Sequence, residues 1–223
     1  MADPLALVPL AAAAAGGRYA ERDVSALVAA GHTLLQRSAV LVRALATSRS
    51  AVVLPVGSAW LTALAASDGR GAVLLDPAAP TATLVARLRN ESVGALFTTE
   101  TLAHGWQETL PPDLVQVWLD RAPAQATVVA NGTARPIDLG SHFGLDLVGD
   151  TATEGRDEPF VWVDDAWHTH RAILTAARMH AAVQGLTPVH WMPACAHWTL
   201  SGLVHQLGVL LQGGRVTMDE RAP

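Results

Sequence analysis

The side chains able to do chemistry crowd into the last third of the chain. Asp164 and Asp165 are adjacent carboxylates, His168 and His170 follow two residues apart, and His190, His197 and His205 flank the single cysteine, Cys195. Read as an enzyme site, Asp164, Asp165, His168 and His170 are the weak catalytic candidates, with carboxylates suited to acid–base work or Mg²⁺ and imidazoles suited to proton transfer. The spacing disfavours sharper arrangements. A metal site needs three or four convergent ligands, whereas residues two apart on a helix point about 200° from one another. No Cys-x-x-Cys or His-x-x-x-His backs the histidines, so no metal site is expected. Gly57-Ser58 and Ser201-Gly202 lack the Gly-x-Ser-x-Gly elbow of a hydrolase and read as helix starts. Cys195 reads as a buried, inert thiol, and the two aspartates read as a solvated turn.

Tryptophan is the unusual component. Seven are present, and Trp162, Trp167, Trp191 and Trp198 fall close together. A buried indole needs a partner for its N–H, and tryptophan is enriched in aromatic pockets and at interfaces. Trp162, Trp167, His197 and Trp198 are therefore the ligand-binding candidates.

All fifteen basic side chains are arginine; the 223 residues contain no lysine. That removes a Walker A loop, a pyridoxal-phosphate Schiff base and the lysine–glutamate pair of a kinase. A net charge of −5 offers no long-range attraction to nucleic acid or an anionic membrane, so neither is an expected partner. One cysteine cannot form an intramolecular disulfide, which suits a cytoplasmic location. Residues 5–17 are apolar, but Asp3 and no basic residue precedes them, unlike a signal peptide. No run reaches the roughly 20 apolar residues of a membrane span. With half its residues apolar and a mean hydropathy of +0.26, the chain can bury a sizeable core.

The elements that must position these groups alternate. Helical spacing predicts helices over 23–37, with 40–45 as an extension, and over 58–66, 81–90, 167–184 and 199–212. Short apolar runs predict strands at 50–55, 72–76, 93–97, 160–163, 189–192 and 215–218, with looser strands at 114–118 and 126–130. Uniformly apolar strands separated by helices imply an α/β fold, a mostly parallel sheet with helices on both faces. The expected organisation is an N-terminal tail over 1–20, a single α/β domain over 21–218 with a looser excursion at 111–159, and a C-terminal tail over 219–223. Residues 151–159 (TATEGRDEP) read as an exposed linker.

In order along the chain, five segments resemble the N-terminal part of the adenylate-forming superfamily of acyl-CoA synthetases, luciferases and adenylation domains. Residues 51–64 (AVVLPVGSAWLTAL) are similar to its strand and helix, and 69–80 (GRGAVLLDPAAP) to its turn ending in Leu-Asp-Pro-x-x-Pro. Residues 84–89 with 95–97 resemble the next helix and strand, 168–174 (HTHRAIL) the start of its Thr-His-Arg helix, and 201–216 its Gly-rich helix and strand. The resemblance implies the fold of that N-terminal subdomain.

The departures carry the functional expectation. Family members join the strand to the Thr-His-Arg helix through a Ser/Thr/Gly-rich phosphate loop whose amides hold ATP. Here the strand at 160–163 runs directly into Asp164-Asp165-Ala166-Trp167. The family's Pro-x-x-His, which lines its acyl pocket, corresponds to Pro193-Ala-Cys-Ala-His197 with one added residue. The likeness stops at residue 218, short of the family's adenine, magnesium and ribose ligands and its catalytic lysine. Together these predict no adenylation by the family mechanism and no cofactor. The expected function is binding of a partner protein, or of an acyl or aromatic ligand in a remnant cleft, by a catalytically inactive relative that forms a homodimer. The alternatives are a new activity on the old scaffold and one half of a split acyl-CoA synthetase-like ligase.

Overall fold

The computed structural model describes residues 7–67, 70–140 and 157–218. Residues 1–6, residues 68–69, the stretch 141–156 that holds most of the expected linker, and the expected tail 219–223 lie outside the described residues.

Two sheets organise the chain. The larger contains β3 (Arg49–Val52), β4 (Ala72–Leu74), β5 (Val93–Thr98), β6 (Val115–Trp118), β7 (Gln125–Ala130), β8 (Thr133–Asp138), β9 (Pro159–Val163) and β10 (Ala166–Thr169), in the spatial order β10-β9-β4-β3-β5-β6-β7-β8. Its middle five strands are parallel, and β10, β7 and β8 join antiparallel. The smaller sheet runs β11-β12-β1-β2, from β1 (Arg18–Tyr19), β2 (Arg22–Asp23), β11 (Trp191–Pro193) and β12 (Arg215–Thr217). Eight helices lie among the described residues: α1 (Leu7–Ala14), α2 (Val24–Arg37), α3 (Ala39–Thr47), α4 (Ala59–Ala66), α5 (Thr81–Asn90), α6 (Glu100–Trp106), α7 (His170–Gln184) and α8 (Leu200–Leu210). None of them is long and apolar enough to cross a membrane.

The α/β fold with a mostly parallel main sheet is the one expected, and the differences have local causes. The segment expected as a tail over 1–20 contains α1 and β1. Val8, Ala12 and Tyr19 are fully buried, because an alanine-rich run with apolar residues on one side can pack closely against other helices. Residues 40–45 do not extend α2. Ser38 leaves the helical region (φ −122°, ψ 86°), and its Oγ accepts from the Leu41 N–H as the cap of a new helix. Helix α7 starts at His170, not at 167, because residues 166–169 are drawn into β10 by pairing with β9. The strand expected from Val189 begins at Trp191, leaving Val189 exposed. Strand β8 carries no apolar run in the sequence, because it consists largely of Thr, Arg, Pro and Asp; Arg135 and Pro136 are edge-strand residues that discourage further pairing.

Both faces of the large sheet are covered. On one, Val52, Leu54, Phe97 and Val161 join the core that holds α2, α4, α7 and α8; on the other, Val53, Val73, Leu96 and Trp162 pack with Leu84 and Leu88 of α5 and Trp106 of α6. Helices α2 and α4 approach closely enough that a Cβ on Gly31 would lie 2.5 Å from the Thr62 carbonyl oxygen. Only glycine fits there.

Candidate functional site

The strand β9 and its successor β10 form a hairpin whose turn is Asp164-Asp165. Both aspartates have positive φ (50° and 61°), and Val163 pairs with Ala166, so the loop has two residues. Such a primed turn matches the twist of the flanking strands, and aspartate tolerates the left-handed region better than most side chains. Neither carboxylate is left to solvent alone. Asp164 Oδ2 accepts from the Leu200 N–H at 3.0 Å, at the start of α8, and Asp165 Oδ1 accepts from Arg87 Nη2 at 2.9 Å. A carboxylate beside a helix N-terminus satisfies an orphan N–H and the helix dipole together.

Arg87 links this turn to the tryptophans. Its guanidinium lies 4.1 Å from the Trp162 ring centroid, and Arg49 lies 4.3 Å from that of Trp167. Glu91 connects the two arginines, at 2.9 Å from Arg49 and 3.8 Å from Arg87. Trp162 and Trp167 are cross-strand partners on the α5 face, so β-pairing places one stack beside the other.

His197 and Trp198 lie on the opposite side of the sheet, in the connection between β11 and α8. His197 is fully buried, stacked on Trp60 at 5.6 Å between centroids with planes 11° apart, and meets the Trp198 ring edge-on at 4.9 Å. Neither of its ring nitrogens has a hydrogen-bond partner among the described residues. Burial therefore drives its pKa down to about 3, and the ring is neutral at physiological pH. Thus the four ligand-binding candidates do not share a cleft: Trp162 and Trp167 are covered by arginines on one face, while His197 and Trp198 close around Trp60 on the other.

The catalytic candidates are similarly dispersed. His168 lies on β10 facing away from Trp167, and His170, at the start of α7, stacks on Phe160 at 4.0 Å. No group of three or more His, Cys, Asp or Glu side chains able to hold a metal ion occurs among the described residues. Cys195 Sγ lies 3.5 Å from the Gly202 carbonyl oxygen, and burial raises its pKa. Ser201 is exposed on α8, and Ser58 precedes α4 without making a side-chain cap bond.

A cleft of about 570 Å³ that sequence reasoning missed opens beyond the carboxyl ends of β3, β5 and β6, beneath the β1–β2 turn. Leu54, Pro55, Val56, Leu119 and Met218 form its apolar walls, with Arg22 at the rim. Tyr19 contributes to its lining and is held in place through its hydroxyl, which donates to Gln206 Oε1 at 2.9 Å, while Gln206 Nε2 donates to the Cys195 carbonyl at 3.1 Å. Burial raises the Tyr19 pKa, keeping the phenol neutral. The carboxyl ends of parallel strands are where open α/β sheets ordinarily present ligand sites. The signal available in the sequence was the Pro55-Val56-Gly57-Ser58 break after a strand.

Comparison with solved structures matches this architecture to the nonribosomal peptide synthetase FmoA3 in its alpha-methyl-L-serine-AMP bound form, with a TM-score of 0.68 and 14% identity over 96% of this chain. The chain has the fold of the N-terminal part of adenylate-forming enzymes. O-succinylbenzoate coenzyme A synthetase (MenE) from Bacillus subtilis, in complex with ATP and magnesium ion, matches at TM-score 0.61 and 15% identity over 93% of this chain. Apo MatB from Rhodopseudomonas palustris matches at 0.66 and 12% over 98%. The chain spans 23% of the FmoA3 chain, 54% of MenE and 46% of MatB. No family model matches the sequence, and no curated protein does.

Proposed function

We propose that this chain is a non-adenylating relative of adenylate-forming enzymes that binds an acyl or aromatic ligand without turning over ATP. The observation that carries the reading is the Asp164-Asp165 turn. Where the resemblance places a glycine-rich phosphate loop, the backbone turns in two residues and presents two carboxylates. A triphosphate there would meet negative charge in place of amide donors, and like charges at about 4 Å repel by roughly 1 to 4 kcal/mol at intermediate dielectric. Both carboxylates already accept hydrogen bonds, which also weighs against a new activity built on Asp164, Asp165, His168 and His170. Calorimetric titration of the full chain should give no heat with Mg²⁺-ATP or AMP, and saturable binding with a member of a panel of acyl-CoAs, fatty acids and aromatic acids. Saturable ATP binding overturns the reading.

Self-association is the companion proposal. Met179 and Val183 on the outer side of α7, Val189 in the turn before β11 and Trp191 on β11 are large apolar side chains left exposed, at 63%, 81%, 86% and 39%. Apolar surface of this kind is commonly covered by a second copy across a two-fold axis. Sedimentation equilibrium at micromolar concentration should return about twice the 23.4 kDa chain mass, and Val183→Glu should lower it to one. A single-chain mass for the unaltered protein removes the dimer.

A further inference from the structure

The geometry points to the outer face of the β6–β7–β8 ribbon, beside α6, as a binding site for a neutral oligosaccharide, with Trp118 as its stacking platform. Strands β7 and β8 extend the parallel sheet antiparallel there, and α6 packs along β6. Between α6 and β8 lie two cavities of about 410 Å³ and 280 Å³, both lined by Trp118 and Ala134. They form a groove along β7, whose 6 residues run about 20 Å. Pairing register sets the floor of the groove. Trp118 stands opposite Thr127, which stands opposite Pro136, and the next row on that face is Gln116, Val129 and Ala134. Val117 and Val128, between the rows, turn to the buried core instead.

The half-buried Trp118 ring is held from two sides. Its Nε1 donates to Gln116 Oε1 at 3.3 Å, and the His104 ring of α6 lies 5.4 Å away with planes tilted by 55°. A pyranose presents a face of C–H groups with slight positive charge, which suits the negative face of an indole. The polar groups around the ring suit hydroxyls. Gln107, Gln116, Gln125 and Asn131 carry amides that donate and accept at once. Gln125 Oε1 accepts from Arg121 Nη1 at 3.1 Å, which leaves its NH₂ without a partner among the described residues, and the side chains of Gln107 and Asn131 have none there either. Charge excludes the other ligand classes. Glu100 and Asp120 at one end of the groove oppose a phosphate or carboxylate, and Arg121 beside them opposes a cation. A flat nucleobase gains most from two near-parallel planes, which the tilt of His104 does not supply.

The test is saturation-transfer NMR and calorimetric titration of the full chain with maltotriose, cellotriose and triacetylchitotriose, with adenosine as a competitor. At least one trisaccharide should bind saturably at millimolar concentration. Trp118→Ala and, separately, Ala134→Leu should each weaken it about fivefold or more, the loss expected for removing or blocking one aromatic stacking contact. Ala134→Leu adds bulk without a ring at an exposed position where the two cavities meet, so it decides the matter where Trp118→Ala fails to fold. Absence of saturable binding by all three sugars overturns the inference. Affinity unchanged in folded Trp118→Ala, or in Ala134→Leu where the first variant does not fold, places the sugar elsewhere and overturns this site. Displacement of the bound trisaccharide by equimolar adenosine overturns the assignment of ligand class.

Discussion

Lowering the pH from 7 to 5 is expected to destabilise the protein by about 2 kcal/mol through His197 alone. Its ring, held between Trp60 and Trp198 with both nitrogens lacking partners among the described residues, has its pKa pushed down to about 3, while in the unfolded chain an imidazole titrates near 6.5. Between those values the unfolded state binds a proton that the native state refuses. Stability therefore rises with pH across the window from about 3 to 6.5 and is complete above it. His32 and His205, whose pKa values burial also lowers, add to the slope with the same sign. The check is urea unfolding at pH 7 and pH 5 for the unaltered protein and for His197→Phe, which keeps an aromatic ring in the stack and removes the titrating group. The variant should lose about 2 kcal/mol less over that interval. Equal pH dependence in the two proteins would sink the assignment.

Trp60→Ala should cost about 3 to 5 kcal/mol, the range for deleting a fully buried aromatic side chain and leaving a cavity. Trp60 is 0% exposed on α4 and is the largest completely enclosed side chain among the described residues. It also supplies one wall of the His197 enclosure, so its loss should admit water beside the imidazole. Two readouts follow from one substitution: a fall in the urea midpoint, and a shallower dependence of stability on pH below 6.5. A loss under about 1 kcal/mol would mean that α4 is not anchored through this ring. A normal loss with an unchanged pH slope would mean that Trp60 packs there without shielding His197.

Several features of the fold were legible because local patterns and tertiary packing agree. The apolar spacing of residues 24–37 and the uninterrupted Ala-Val-Val run at 51–53 produce α2 and β3 nearly where expected, since a buried parallel strand and an amphipathic helix each have a distinct period. Thr199 and Gly185 acted as helix boundaries for the reason their types suggest: the Thr199 hydroxyl accepts from the Gly202 N–H, and Gly185 takes the left-handed conformation. The compressed junction after the strand at 160–163 was also visible, as Asp164-Asp165 where the resemblance expects a long loop. That it is a hairpin was not, because the alternation of Trp167 and His168 suits either a strand or a helix start until β9 offers a partner.

The sequence by itself determined which groups exist and in what order: no lysine, a compressed junction at Asp164-Asp165, and alternating helices and strands in the order of an adenylate-forming N-terminal domain. Only the tertiary structure decided which groups meet. Trp162 and His197 lie near one another in the chain on the scale of its elements, yet the sheet separates them, one under Arg87 and the other against Trp60. Conversely, Arg22, Leu54, Leu119 and Met218 are spread over nearly the whole chain and converge on one cleft. Crossover connections bring the carboxyl ends of distant parallel strands to the same edge, and no local pattern records which side chains will share it.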